Sequence, residues 1–204
     1  REYDVVDVAA AVGTAIHSAL AFVHDSHIAG TRVDDLDMII NVTKPGLEAE
    51  LARISQYPPR TIRATDLMND AIRRYENAVE RYMDVQPLRG YTILDVERKL
   101  PDFGNTTIDV GVRTPEGRLA VVDIKTKSFA KDYYKQRYLE EFAHSWQMKH
   151  YVVGYSDYLE RQGLAEFTVN DFELLLIDLH YVRPKIEVYQ FSFTKAELDR
   201  WMVD

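Results

Sequence analysis

The chain has 204 residues, 46% of them hydrophobic, and a formal net charge of −8. That size and composition suit one domain with a real core, and the acidic balance argues against a protein that coats nucleic acid nonspecifically. Cysteine is absent, which excludes a disulfide framework, cysteine-ligated zinc and a cysteine-bound iron–sulfur cluster.

In chain order, Val5, Val8, Val12, Ile16, Leu20 and Val23 recur at helical spacing and predict a helix over 3–24. No uninterrupted apolar run approaches the length of a membrane span. His24 and His27 form an H-x-x-H beside Asp25 and Gly30, read as surface residues and not as a zinc site. Residues 30–60 read as loop-rich, with a weak helix near 44–55 and a clear break at Pro58-Pro59. A second long helix is expected over 63–84, capped by Thr65 or Asp66. Strand-like segments follow near 91–99, 106–113 and 118–125, then a long aromatic-rich helix over 133–161. Two further strands, 171–182 and 186–193, flank Arg183-Pro184-Lys185. Thr194-Lys195-Ala196-Glu197 is a capping box that opens a short last helix. The order α, α, β, β, β, α, β, β, α is that of a mixed sheet with helices against it. One domain over 1–204 is expected, with a helical part at 1–85 and an α/β core at 86–204.

The second and third strands carry the chemistry. They surround Pro115-Glu116-Gly117, and glycine in the third loop position suits a three-residue hairpin. Centring that turn on Glu116 puts Asp109 opposite Asp123. Side chains alternate along a strand, so Asp123 and Lys125 share a face while Val122 and Ile124 turn away. Two facing carboxylates repel unless a cation lies between them, and oxygen ligands favour a hard ion such as Mg²⁺ or Mn²⁺. Read alone, the same triad also suits a solvated hairpin face with a cross-strand ion pair. No glycine-rich phosphate loop is present.

Four motifs lie in a telling order. Gly13-Thr14-Ala15-Ile16-His17 fits G-x-x-x-H on the first helix. Asp109 follows in TIDV, then Asp123-Ile124-Lys125-Thr126 with Lys127. Gln147-Met148-Lys149-His150-Tyr151 fits Q-x-x-x-Y on the helix after the core strands. Together they resemble the PD-(D/E)XK nuclease superfamily and, more narrowly, its RecB-like exonuclease branch. The chain departs from the pattern at Thr106-Thr107, where a glycine often precedes the first aspartate, and it lacks the cysteines that some relatives use for an iron–sulfur cluster.

The resemblance implies a restriction-endonuclease-like α/β fold and a Mg²⁺- or Mn²⁺-dependent deoxyribonuclease. It implies an exonuclease acting on single-stranded DNA or DNA ends, in repair or recombination. The setting implied is intracellular, cytoplasmic for a bacterial or phage source, with no membrane partner. It assigns Asp109, Asp123 and the Ile124 carbonyl to the metal, with His17 and Glu97 as further ligands. His17 also reads as an ordinary helix-face histidine. Asp95 competes with Glu97 by strand alternation. Lys125 holds the attacking water or the phosphate by charge, since two nearby carboxylates raise its proton affinity. Gln147 orients that lysine or a phosphate. Tyr151, one turn on, braces the helix, stacks on a base or simply packs in the core.

Charge is uneven: residues 1–51 hold nine acids against Arg1, Arg32 and Lys44, whereas 125–149 hold six bases against Asp132, Glu140 and Glu141. Lys127, Lys131 and Lys149 are therefore candidates for phosphate contacts, and Tyr133, Tyr134 and Tyr138 for stacking on unpaired bases. The alternatives are an endonuclease of the same superfamily, of resolvase or restriction type, and a noncatalytic DNA-binding subunit derived from a nuclease.

Overall fold

A computed structural model describes residues 3–31, 33–55, 64–100, 103, 106–143, 145–163, 169 and 171–201. The chain divides into two compact units: Arg1–Gln86 with Ile177–Ile186, and Pro87–Leu176 with Glu187–Asp204.

The first unit is built on three helices, α1 (Tyr3–Ile28), α2 (Leu36–Ser55) and α3 (Ala64–Val85). In α1 the expected apolar stripe is buried: Val8, Val12, Ile16, Leu20 and Val23 face inward. Its stretch Val8–Ile28 is long and apolar enough to cross a membrane by length and composition alone. His17, His24, Asp25 and His27 interrupt it, and its apolar side packs on α2 and α3 in the manner of a core helix. His24 corrects the surface reading. It is buried, and its Nε2 lies 2.9 Å from the Tyr82 hydroxyl on α3. Burial, then the neighbouring His27, pushes its pKa down to about 4, so the ring is neutral.

Helix α2 is longer than the weak helix expected at 44–55. Asp35 caps it, its carboxylate accepting from the Asp37 and Met38 amides at 3.0 and 3.2 Å. Pro45 lies inside the helix, where a missing amide costs about 3 kcal/mol. Burial of Ile39, Leu47, Leu51 and Ile54 outweighs that cost. Thr65 and Asp66 fall within the first turn of α3, not before it. The expected break at Pro58-Pro59 lies outside the described residues.

The second unit contains β1 (Thr92–Leu100), β2 (Thr106–Arg113), β3 (Leu119–Lys127), α4 (Asp132–Ala143), α5 (Trp146–Arg161) and α6 (Lys195–Trp201). Strands β4 (Asp171–Asp178) and β5 (Lys185–Ser192) complete a five-stranded sheet in the order β1-β2-β3-β4-β5; their residues 177–186 count with the first unit. Asp178 ends β4 four residues early, its carboxylate turning the chain by accepting from the His180 amide at 3.0 Å. The single helix expected over 133–161 is two helices. Ser145 adopts extended backbone between them and its hydroxyl accepts from the Met148 amide, an N-cap that restarts the helix. Helix α5 contributes Met148, Val152, Tyr155 and Leu159 to one core cluster with Ile108, Leu119, Val121, Leu174 and Leu176 of the sheet. The capping box at Thr194 is present: Glu197 accepts from the Thr194 amide at 2.7 Å, and Thr194 from the Glu197 amide at 3.3 Å.

Candidate active site

The β2–β3 hairpin forms as its sequence dictates. The Thr114 amide donates to the Arg118 carbonyl at 2.8 Å, and Gly117 takes φ +84°, the left-handed position the turn requires. Val110 pairs with Val122 and Val112 with Ala120, and the same register carried one residue beyond the paired ladder sets Asp109 opposite Asp123. Alternation then sends Ile124 into the core and Asp123 and Lys125 to the other face.

Asp123 is fully buried. Its carboxylate receives the Lys125 ammonium at 2.9 and 3.0 Å and the Gln147 amide at 3.4 Å. Gln147 also donates to the Tyr151 hydroxyl at 2.6 Å. Asp109 is anchored differently: its Oδ2 accepts from the backbone amide of Ile124 at 2.6 Å. Burial pulls the Lys125 pKa down, but the Asp123 carboxylate, by charge and hydrogen bond, and then Asp109 hold it above the ordinary lysine range. The lysine is therefore a fixed cation beside two carboxylates.

Glu97 and Asp95 part company. The neighbouring pairs Val96–Val110 and Arg98–Ile108 set Glu97 alongside Asp109, and their carboxylate oxygens come within 4.8 Å of each other. Glu97 is exposed and has φ +46°, a left-handed conformation in the middle of a strand. Asp95 is buried. It accepts from Arg98 Nε at 2.7 Å and from the Tyr155 hydroxyl at 2.8 Å. The twist at Glu97 breaks the alternation that would put both acids on one face, and Asp95 is committed to α5.

The remaining candidates lie as follows. His17 is half-buried on α1 of the first unit, one turn after Gly13. Lys127 is exposed at the end of β3, its Nζ 5.2 Å from the Tyr138 ring, and Lys131 is exposed ahead of α4. Lys149 is half-buried on α5, its Nζ 5.2 Å from the Trp146 ring. Tyr151 is buried, its ring stacked on Phe172. That leaves it bracing Gln147 and the helix, with no open face for a base. Tyr133 and Tyr134 are exposed, and Tyr138 is half-buried. A motif reading passes over Trp146, because the Q-x-x-x-Y pattern begins one residue later.

Asp109 on β2 and Glu97 on β1 bring carboxylate oxygens within 4.8 Å of each other, and the Lys125 ammonium, whose charge feels both Asp123 and Asp109, lies with Asp123 and the Gln147 amide on β3 and the first turn of α5. This is a donor set for a hard divalent ion and a phosphate, not for a soft metal. Among curated proteins, none matches the chain. The model of the PD-(D/E)XK nuclease superfamily matches residues 2–202, and the five-stranded mixed sheet with flanking helices is its restriction-endonuclease-like α/β fold. By that match over nearly its whole length, the chain belongs to the PD-(D/E)XK nuclease superfamily, whose members are nucleases that use divalent metals.

Proposed function

We propose that this chain is a Mg²⁺- or Mn²⁺-dependent deoxyribonuclease, an exonuclease acting on single-stranded DNA or DNA ends, folded as one nuclease domain with a helical part at 1–85. The observation that carries the reading is the buried Asp123 carboxylate held by Lys125 and Gln147 beside Asp109. A binding protein gains nothing from apposed acids held against an ammonium, whereas phosphodiester hydrolysis needs both signs of charge in one place.

The donor set fits the metal. Asp109, Asp123 and the Ile124 carbonyl would hold it, with Glu97 alongside; the resemblance adds His17. Bound there, a divalent ion supplies Lewis-acid polarisation of the phosphoryl group and a lowered pKa for water. Residues of the chain do the rest. The Ile124 amide fixes the Asp109 carboxylate in one rotamer. Lys125, kept protonated by Asp123, places positive charge where the phosphate becomes more anionic. Gln147, steadied by Tyr151, positions Asp123 and through it Lys125. Lys127, Lys131 and Lys149 offer phosphate contacts. The exonuclease assignment rests on the resemblance of the Gly13–His17 and Gln147–Tyr151 motifs to the RecB-like branch.

The test is cleavage of end-labelled linear and closed circular single-stranded DNA with Mg²⁺, Mn²⁺ or EDTA. Metal-dependent digestion of the linear strand alone supports the exonuclease. Cutting of the circle moves the reading to an endonuclease. A metal titration of His17→Ala that matches the unsubstituted chain would return that residue to an ordinary helix face.

A further inference from the structure

Trp146 is the first residue of α5 and directly precedes Gln147, whose amide reaches the buried Asp123. Its side chain is 61% exposed, although tryptophan is a residue that folding normally hides. Two neighbours attend it. The Lys149 ammonium lies 5.2 Å from its ring centroid, and the His150 ring lies 6.0 Å away at 54°. Residues 146, 149 and 150 are one helical turn apart and share a ridge. The next ridge round the helix carries Gln147 and Tyr151, which turn towards Asp123. One ridge therefore serves the acid cluster while its neighbour presents an indole and a cation to solvent.

Among the described residues the ring contacts of this indole are to two polar side chains, Lys149 and His150, and not to the apolar core. An aromatic face beside a cation, one residue from the cluster assigned to phosphodiester cleavage, has the two features that bind unpaired nucleotides: a stacking platform and a charge for the backbone. A paired base has both faces covered inside the duplex and offers nothing to such a platform. We propose that Trp146, with Lys149 and His150, is a nucleobase subsite that stacks an unpaired base next to the phosphate being cut. The subsite rests on the nuclease reading and adds to it a reason for preferring single strands or frayed ends.

The experiment has two arms. In the first, Trp201, the chain's other tryptophan, is replaced by Phe, and oligo(dT) is titrated into the protein in EDTA, so that binding is read without cleavage. Saturable quenching of Trp146 fluorescence is expected, with much less for a blunt duplex. Quenching that is absent, or equal for strand and duplex, overturns the subsite. The second arm compares KM for oligo(dT) and for an abasic strand of equal length. Trp146→Leu is expected to raise KM for oligo(dT) about tenfold, bringing it to the abasic value, and Trp146→Phe to restore most of the difference. An unchanged KM for oligo(dT) in Trp146→Leu overturns the proposal and leaves the nuclease reading intact. Failure of the parent chain to cleave any DNA overturns the nuclease reading, and the EDTA titration still decides whether the indole binds a base.

Discussion

Helix α5 meets two different ways of keeping charge inside a protein. Towards its N-terminus, Gln147 and Tyr151 meet Asp123 and Lys125; a helical turn beyond, Tyr155 meets Asp95, which Arg98 also holds. Both carboxylates are buried. At Asp95 the donors are short and complete, with two partners at 2.7 and 2.8 Å, and the Arg98 guanidinium lies 5.0 Å from the Tyr158 ring centroid as well. At Asp123 the amide contact is long, 3.4 Å, and the ammonium beside it is one-quarter exposed. The first arrangement spends its hydrogen bonds on holding β1 to α5. The second keeps two acids and a cation together, a mixture of charge that suits a ligand of both signs, a metal ion and a phosphate.

The largest expected break in that comparison is Lys125→Ala. Removing a charge aimed at the developing anion typically costs about 10²- to 10³-fold in rate, and cleavage should fall by at least that much. The same change removes the ion-pair partner of the buried Asp123 carboxylate, so stability should fall as well. The pH dependence has a definite sign. The folded pKa of Lys125 is raised, so the stability it adds is fully present below the unfolded lysine value and disappears as pH rises through the folded one. Chemical denaturation of wild type and Lys125→Ala from neutral to strongly alkaline pH should show the two curves converging at the alkaline end. A gap that persists there would mean that packing, not charge, is what the lysine contributes.

His24 sharpens the contrast because it uses neither device; it gives up its charge. Its pKa is about 4 in the folded chain against 6.5 unfolded, so the native state refuses a proton that the unfolded state accepts. Stability is full above the unfolded value and is lost as pH falls through the window between the two, by about 3 kcal/mol at the limit. Thermal melts of wild type and His24→Gln, which can still meet the Tyr82 hydroxyl, should diverge in slope over that window. Matching slopes would assign acid sensitivity to the carboxylates at α5 instead.

Gly111 bears on the Tyr155 contact in the middle of the helix. A Cβ there would run into the Tyr155 hydroxyl and ring, so strand β2 and helix α5 approach only because this residue is glycine. Overpacking of that kind costs about 1–3 kcal/mol, and Gly111→Ala should lower the denaturation midpoint accordingly. Adding Tyr155→Leu removes the hydroxyl and the clashing ring carbons together while depriving Asp95 of a donor, so the two changes should be strongly non-additive. Additive effects would show that the Tyr155 side chain is not what the glycine accommodates.

These residues also show what was readable beforehand. The hairpin at 106–127 was legible because alternation and turn chemistry are local: Pro115-Glu116-Gly117 sets the register, and the register sets Asp109 against Asp123. Gln147 and Tyr151 were legible as a pair because they are one turn apart. The division of 133–161 at Ser145 was hidden because apolar spacing runs on through both helices, and α2 was hidden because Pro45 and Gly46 look like a break when the burial of Ile39 and Leu51 is unknown. His24 read as surface because Tyr82, its partner, is distant in sequence. Asp95 and Glu97 were indistinguishable because alternation assumes a regular strand, and no residue type announces that Glu97 leaves it.

That departure yields the smallest prediction and the most pointed one. A non-glycine residue in the left-handed region costs about 1 kcal/mol or more, and such strain persists where the surrounding structure or a function requires it. Glu97→Ala and Glu97→Gly both delete the carboxylate next to Asp109, so both should lose metal affinity and cleavage alike. They differ only in backbone. In an ordinary strand glycine is worse than alanine by about 0.5–1 kcal/mol. Here the order should reverse, with Glu97→Gly the more stable of the two, because glycine adopts φ +46° without penalty. Urea denaturation of the pair reads the sign directly. If alanine is the more stable, the left-handed turn at Glu97 carries no strain, and the close approach of its carboxylate to Asp109 has come without cost to the fold.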